Sequence, residues 1–448
     1  MADFDVHTED PPAQTPLLIS NQNDNHNQNQ SHQEQNEDTQ LDQTLKKLET
    51  FLTLLGFHQS SWFSSALSWI AFVLIGVVLP VVVLEMSNCS GCELYQIKNF
   101  ELDIVASQAC LAAVSLLCLS HNLRKYGIRR FLFVDRFNGK MARLHDDYVK
   151  QIWGSLRLLI FWALPCIILK TAREVVRILY VNHESWWQSV AILLALILSW
   201  TYVSMISLSA SVLFHLVCNL QVIHFEDYGK LLERESDVYV FMEEHIRLRH
   251  HLSKISHRFR IYLLLEFLVV TASQFVTLLQ STGYSGTITF INGGDFAVST
   301  IVQVVGIILC LHAATKISHR AQGITSLASR WHALATCGSS STDSSQHRLS
   351  NNVGNLEPAN NFNSIDINYS ESDLDSLDYV AIPTNTQLAS YMSSYHKRQA
   401  FVMYLQTNAG GITIFGWTVD RALLNTIFFI ELSLVTFVLG KTIVFTSK

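Results

Sequence analysis

Seven long apolar segments alternate with polar connections along the chain, a pattern typical of helices that cross a lipid bilayer. A transmembrane helix needs about 20 predominantly apolar residues, and every segment reaches or approaches this length. The segments are residues 64–86, 104–120, 153–178, 187–218, 261–281, 296–315 and 421–443. We therefore predict an all-α integral membrane protein with seven transmembrane helices.

The connections between these segments differ sharply in their content of Lys and Arg. Residues 121–150 carry eight basic residues and residues 219–260 carry seven, whereas the connection after the first segment has only Lys98. The connection after the fifth segment has none. Because basic loops stay on the cytoplasmic side, the N-terminus is predicted to be cytoplasmic and the C-terminus, after seven crossings, extracellular. A G-protein-coupled receptor has the opposite orientation.

The polar parts of the sequence divide the chain into four regions. Residues 1–40 are rich in Asn, Gln, Asp and Glu, and residues 338–386 form a polar, low-complexity linker, so both are predicted to be disordered cytoplasmic segments. Residues 41–337 are predicted to hold an interfacial helix with a leucine-rich face, then transmembrane helices 1–6 with cytoplasmic helical extensions. Residues 387–448 are predicted to form a cytoplasmic anchor helix and transmembrane helix 7.

Composition favours a membrane protein without catalytic machinery. Hydrophobic residues make up 49% of the 448 residues, and the net charge is −6. The sequence has no Gly-x-Ser-x-Gly, His-Glu-x-x-His or glycine-rich nucleotide motif. We therefore expect a protein that is not an enzyme and that has no cofactor and no metal site. The expected partners are the lipid bilayer, further copies of the chain and a small ligand, but no nucleic acid.

Residues 1–40 contain no apolar stretch typical of a signal peptide, so the first transmembrane helix is expected to act as the targeting signal. The plasma membrane is the default expectation for this multi-pass protein. The sequence "TPLLIS" near the N-terminus loosely resembles a dileucine sorting signal, which leaves the vacuolar membrane as an alternative.

The short polar loop "NCSGCELY" after the first segment carries two candidate modification sites. Sequons for N-glycosylation occur at Asn29, Asn88 and Asn368, and the predicted orientation exposes only Asn88 to the glycosylation machinery. Cys89 and Cys92 lack a second pair of zinc ligands at suitable spacing. In a loop that faces an oxidising space, a disulfide between them is the favoured interpretation.

Two acidic residues, Glu266 and Glu431, fall within apolar segments. An ionised carboxylate at bilayer depth costs at least about 2.5 kcal/mol, so such residues usually face protein or water. Glu266 lies near the predicted cytoplasmic boundary, where hydrogen bonds are the favoured explanation and a proton relay is the alternative. Glu431 lies near the middle of the last segment, and its role depends on which face of that helix it occupies.

The third segment becomes polar at its predicted outer end. Lys170, Arg173, Glu174 and Arg177 share one helical face by their i, i+3, i+4 and i+7 spacing. Lys170, Arg173 and Arg177 could form a basic stripe that binds an anionic or polar ligand in an outer cavity. The favoured alternative is that they reach the lipid headgroups, or pair with Glu174 and a neighbouring helix.

The C-terminal stretch "GGITIFGWTVDRALLNTIFFIELSLVTFVLGKTI" resembles the end of insect gustatory and odorant receptors. Val419, Asp420, Arg421 and Leu423 match the start of their last helix, and Thr436-Phe437 matches their Thr-Tyr pair conservatively, with Phe in place of Tyr. The Gln-Phe pair that ends the insect motif is replaced by Ile443-Val444. Over about residues 41–448, the chain resembles a plant family of seven-transmembrane gustatory-receptor-like proteins that is distantly related to those receptors.

This resemblance implies a homotetrameric cation channel whose last helix lines the pore and whose cytoplasmic helices anchor the subunits. Aligned on the insect pattern, the pore gate falls on Gly440 and the selectivity position on Ile443, and helical spacing adds Phe429, Ser433 and Thr436 to that face. In this register Glu431 lies half a turn away and packs inside its own subunit. In a different register, four Glu431 side chains would form an acidic ring.

Two other function classes remain open at this point. The alternative to a ligand-gated or constitutive channel is a non-conducting receptor or scaffold, with an outer ligand cavity and cytoplasmic loops that recruit partners. A third hypothesis is a proton-coupled transporter that uses Glu266 and Glu431. A transporter of this kind usually has paired halves with interrupted helices, and the sequence contains no such internal repeat.

Overall fold

The described residues are mostly helical, with one short hairpin and a few short turns. The computed structural model describes residues 40–59, 61–86, 98–133, 144–180, 186–233, 237–283, 290–339, 394–408 and 410–446. The helices are α1 (residues 40–54), α2 (Trp62–Met86), α3 (Lys98–Leu132), α4 (His145–Tyr180), α5 (Trp186–Glu233), α6 (Val238–Gly283), α7 (Phe290–Ser339), α8 (Ser394–Thr407) and α9 (Arg421–Thr446). Strands β1 (Thr413–Ile414) and β2 (Trp417–Thr418) form the antiparallel hairpin.

Six helices among the described residues, α2 to α7, are long and apolar enough to cross a membrane. The prediction of an all-α, multi-pass membrane protein is therefore confirmed. Helix α9 coincides with the seventh predicted segment and has 26 residues. Whether α9 also crosses the bilayer, and which side of the membrane each end faces, stays a prediction.

Three helices are far longer than a bilayer requires. Helices α5, α6 and α7 contain 48, 46 and 50 residues. At about 1.5 Å per residue they extend roughly 70 Å, more than twice the hydrocarbon thickness of about 30 Å. They therefore continue beyond the membrane as a helical extension. The sequence indicated such continuations for the fourth and fifth spans, and α7 extends in the same way as far as Ser339.

Two helices contain irregular turns at residues that favour them. Helix α2 includes a π-helical stretch over Val73–Val78. The stretch ends two residues before Pro80, which has no N–H to donate to the preceding turn. In α3 the backbone of Gly127 leaves helical geometry with φ of 70°, a conformation that glycine adopts without steric cost. Helix α3 is therefore kinked at Gly127, whereas α2 departs from regular α-helical geometry over one short stretch.

Helix α5 lies at the centre of the bundle and contacts α2, α3, α4, α6 and α7. Its middle carries small side chains, which let neighbouring backbones approach closely; the buried ones are Ser204, Ser207, Ser209, Ala210 and Ser211. Gly76 of α2 allows one such approach, because a Cβ atom there would lie 3.0 Å from Val203 Cγ2. The largest buried hydrophobic cluster surrounds this helix.

Helix α1 presents its leucine-rich face to the protein. The buried leucines of the helix are Leu41, Leu45, Leu48 and Leu52, and Leu55 in the turn that follows is buried as well. Leu48 and Leu52 border a small cleft together with Ile152 of α4 and Leu213 of α5. The sequence indicated a helix lying on the membrane surface, and periodicity alone could not distinguish lipid from protein as the apolar surface that covers it.

Candidate functional site

Six charged side chains form a buried group that we call the ionic cluster. Helix α4 contributes four of them, α3 contributes one near its start, and α7 contributes one near its start. The cluster consists of Lys170, Arg173, Glu174, Arg177, Glu101 and Asp295, and every member is buried. Three helices thus bring their charges to the same end of the bundle, where the charge pattern predicts the extracellular side.

Glu174 lies at the centre of the ionic cluster. Its Oε1 atom lies 2.6 Å from Arg173 Nη1 and 2.9 Å from Lys170 Nζ. Its other oxygen lies 3.7 Å from Arg177 Nη1. One carboxylate therefore faces three cations of its own helix. Lys170 and Arg177 lie at the i+4 and i+3 spacing that brings side chains together on one face, whereas Arg173 is the adjacent residue in sequence.

Glu101 and Asp295 complete the charge balance from neighbouring helices. Glu101 accepts a hydrogen bond of 2.8 Å from Arg173 Nη2 and lies 3.3 Å from Arg177 Nη2. Asp295 forms an ion pair with Lys170. Three positive and three negative groups therefore neutralise one another formally, and buried charges require such pairing.

The predicted ligand-binding residues Lys170, Arg173 and Arg177 are thus all engaged by carboxylates in the structure. Ligand binding by them stays a prediction, and it would require an anion to compete with three internal carboxylates. The prediction from sequence did not include Glu101 and Asp295 among the residues of the ionic cluster. A signal was available in the sequence, because Asp295 directly precedes an apolar segment and Glu101 lies three residues before another. Both segments start at the end of the bundle where the α4 stripe lies.

Glu266 of α6 is buried at the contact between α5, α6 and α7. Its Oε1 atom accepts a hydrogen bond of 3.0 Å from Ser211 Oγ, and that hydroxyl lies 3.1 Å from Tyr262 Oη. Gly306 of α7 leaves room for this group, since a Cβ atom there would lie 3.2 Å from Glu266 Oε1. Glu266 therefore has the hydrogen-bonded environment expected of a buried polar side chain.

Glu431 of α9 has a different environment. Its side chain is 1% exposed, and neither carboxylate oxygen has a hydrogen-bond partner among the described residues. It borders a cavity of about 310 Å³ between α7 and α9, whose walls include Ile307, Leu311 and Phe428. The carboxylate thus faces the other helices of its own subunit.

The predicted pore-lining residues lie on the opposite face of α9. Phe429 is 64% exposed, and Ser433, Thr436 and Gly440 are exposed as well. The Thr436 hydroxyl donates a hydrogen bond of 2.7 Å to the carbonyl of Leu432. Ile443 belongs to α9, but its side chain lies outside the described residues. Pore lining by these residues stays a prediction.

Two residues that carry the resemblance, Val419 and Asp420, have structural roles at the junction between the hairpin and α9. Val419 is fully buried, and its N–H donates a hydrogen bond of 2.8 Å to the carbonyl of Ile412 across the hairpin. Asp420 caps α9, because its Oδ1 accepts a hydrogen bond of 2.8 Å from the N–H of Leu423. The motif therefore fixes the point and the direction in which the last helix begins.

Helix α8, the predicted anchor, packs on the extensions of α6 and α7. Phe401 and Leu405 are buried in that contact. Phe401 stacks on Phe241 of α6 at 6.0 Å between ring centroids, and Phe241 meets Trp331 of α7 edge-on at 5.6 Å. An aromatic cluster thus joins the three helices below the bundle.

Several predictions fall outside the described residues. These are the glycosylation site at Asn88 and the disulfide between Cys89 and Cys92, together with the absence of glycosylation at Asn29 and Asn368. The two regions of residues 1–40 and 338–386 also lie almost wholly outside the described part.

Comparison with known proteins adds a family and no structural relative. No curated protein and no solved structure matches the chain. A family model described as "Protein of unknown function (DUF3537)" matches residues 43–430, which include helices α2 to α8 and the beginning of α9. Because the match covers most of the sequence, this chain is a member of the DUF3537 family.

Proposed function

We propose that the protein assembles as a homotetramer and conducts cations, as a ligand-gated or constitutive channel, through a pore lined by α9. The observation that supports this proposal is the division of α9 into two faces. One narrow stripe packs against the rest of the subunit, and the opposite face is uncovered. A helix at the edge of a bundle has this pattern when its second face meets lipid or another copy of the chain.

The stripe that faces the subunit recurs at helical spacing. It contains the half-buried residues Leu424 and Ile427, the buried Glu431 and the half-buried Leu434. Gly440 follows Glu431 by nine residues, which at about 100° per residue places the two on opposite sides of the helix. The uncovered face is therefore centred on the positions that the resemblance assigns to the pore.

The uncovered face carries two hydroxyl groups among exposed apolar side chains such as Phe429 and Phe437, and the hydroxyl groups are the part of it that would contact water in a pore. Ser433 and Thr436 place two hydroxyl groups on it, and Gly440 leaves the backbone accessible. The Thr436 hydroxyl donates its proton to the helix backbone, so its oxygen remains available as an acceptor. Acceptor oxygens around a pore can replace part of the hydration shell of a cation.

The position of Glu431 supports the register in which this carboxylate is not a pore residue. A ring of four carboxylates on the pore axis would need an exposed side chain in the single subunit, whereas Glu431 is 1% exposed. The acidic ring is therefore not part of the proposal. Helix α9 would span about 39 Å, enough to cross the hydrocarbon core.

The experiment that tests the proposal combines native mass spectrometry in lipid nanodiscs with single-channel recording. A tetramer with cation-selective currents is expected. Gly440→Val should reduce the unitary conductance severalfold, because it adds bulk at the proposed constriction. Ile430→Phe, which adds bulk on the flank of the same helix, is the matched control and should leave conductance unchanged.

Two results would contradict this function. A monomer in nanodiscs would remove the shared pore and favour a non-conducting receptor or scaffold. A tetramer whose conductance is insensitive to Gly440→Val would leave assembly intact but place the ion path elsewhere.

A further inference from the structure

The cavity between α7 and α9 combines apolar walls with a single ionisable group. It has a volume of about 310 Å³. Its walls include Val304, Ile307 and Leu311 from α7, and Leu424, Phe428 and Glu431 from α9. Small-molecule sites in proteins are typically concave, mostly apolar and about 300–1,000 Å³ in volume, with a few polar groups that orient the ligand. This cavity meets the lower end of that range.

Glu431 is the feature that distinguishes this cavity from a packing defect. The side chain is almost fully buried, and neither of its oxygens is hydrogen-bonded within the described part of the chain. A buried polar group without a partner is costly, and most buried polar groups have one. Glu266, the other acidic residue within an apolar segment, has the Ser211 hydroxyl as its donor. Glu431 therefore has no hydrogen-bond donor among the described residues. A molecule bound in the cavity can supply that donor.

The residues that line the cavity restrict the kind of group that can pair with Glu431. A divalent cation needs several oxygen ligands, and the lining offers only one carboxylate and the Asn425 amide. Asn425 precedes Glu431 by six residues, which separates them by about 9 Å along the helix and about a third of a turn around it. Both groups cannot readily clamp one small ion. A molecule with a single ammonium group on an apolar body fits this lining, because the ammonium pairs with the carboxylate and the body packs against the apolar side chains.

We propose that the cavity between α7 and α9 is a binding site for a small lipophilic amine, held by an ion pair between its ammonium group and Glu431. The ammonium donates hydrogen bonds to the two carboxylate oxygens, as in other charge-assisted pairs. The apolar body lies against the aliphatic side chains of α7 and the ring of Phe428. This site lies on the opposite face of α9 from the proposed pore, and it does not depend on whether the protein conducts.

The test uses 4-phenylbutylamine as the probe and 4-phenylbutan-1-ol as its uncharged counterpart. Saturable binding of radiolabelled probe is measured on the full chain in nanodiscs of neutral lipid, and empty nanodiscs correct for partitioning into lipid. Thermal unfolding with increasing probe gives a second readout. The wild type should bind the amine saturably and gain thermal stability, whereas the alcohol should bind at least tenfold more weakly.

Two pairs of variants locate the site. Glu431→Gln keeps the shape and removes the charge, so it should weaken amine binding about 30-fold or more. Glu266→Gln, which neutralises the buried carboxylate that already has a donor, should leave binding unchanged. Val304→Phe should abolish binding by filling the cavity, and Ile301→Phe, at an exposed position on the same helix, should not. Each variant is first compared with the wild type for monodispersity and melting temperature.

Three outcomes would overturn the inference. Equal affinity for the amine and the alcohol would mean that the cavity accepts a neutral occupant such as a lipid chain. Retained amine binding in folded Glu431→Gln would remove the ion pair. Retained binding in folded Val304→Phe would place the probe elsewhere. None of these outcomes affects the test of conduction, because the readout is binding and stability.

Discussion

Removing the charge of Glu174 should destabilise the protein strongly, because this carboxylate faces three cations. It lies within 2.6, 2.9 and 3.7 Å of nitrogen atoms of Arg173, Lys170 and Arg177. Glu174→Gln preserves the shape and leaves three buried cations with two carboxylates. Removing one partner of a buried ion pair typically costs about 3–5 kcal/mol. We expect a loss of that size in the free energy of unfolding.

The assay is equilibrium unfolding in mixed micelles of fixed composition, followed by circular dichroism or by steric trapping. The control is Glu226→Gln, which breaks the exposed ion pair of 3.1 Å with Arg320. An exposed pair contributes at most about 1 kcal/mol. Both substitutions replace one glutamate with glutamine, so the difference between their losses of unfolding free energy measures the effect of burial.

A second variant tests the charge balance itself. Lys170→Gln combined with Glu174→Gln leaves two cations and two carboxylates, so it should recover more than half of the stability that Glu174→Gln alone loses. A loss in Glu174→Gln as small as that of the exposed control would refute the reasoning, since the cluster would then be hydrated. A double variant less stable than the single one would refute the charge balance.

Two further predictions concern the helix contact beside Glu266 and the start of α9. Gly306→Val should cost about 1–3 kcal/mol in unfolding free energy through overpacking, because even a Cβ atom at Gly306 would lie 3.0 Å from Ser211 Oγ and 3.2 Å from Glu266 Oε1. The control is Gly323→Val, where a Cβ atom would meet nothing within 4 Å. Equal losses of stability in the two variants would contradict the close approach at Gly306. Asp420→Ala should remove the cap of α9 at a cost of about 0.5–2 kcal/mol, seen as faster amide exchange in its first turn. Asp420→Asn should retain protection, and unchanged exchange in Asp420→Ala would refute the capping role.

Much of the architecture could be predicted from local sequence. The apolar segments identified the membrane helices because the bilayer selects for length and hydropathy, which are properties of a contiguous segment. The predicted boundaries were too short where helices continue into polar sequence, as at α3, whose span runs over Glu101–Leu132 instead of 104–120. Hydropathy indicates only the part of a helix that lies inside the membrane, whereas the backbone hydrogen bonds of the helix continue beyond the membrane surface.

The environments of the charged residues could not be predicted in the same way. The α4 stripe was visible in its spacing, but its partners Glu101 and Asp295 lie on other helices. The hydrogen bond between Arg173 and Glu101 joins residues 72 positions apart. Equally, nothing near Glu266 or Glu431 in sequence shows that the first has a hydroxyl donor and the second borders a cavity.

The sequence by itself thus determined that this is a helical multi-pass membrane protein, because backbone groups in lipid must be satisfied within each apolar segment. It also marked the residues whose charge or polarity does not suit lipid. Only the tertiary structure decided what each of them contacts: carboxylates for the α4 cations, a serine for Glu266, and a cavity for Glu431. These contacts depend on helix packing, which brings together side chains that are distant in sequence and that no local pattern relates.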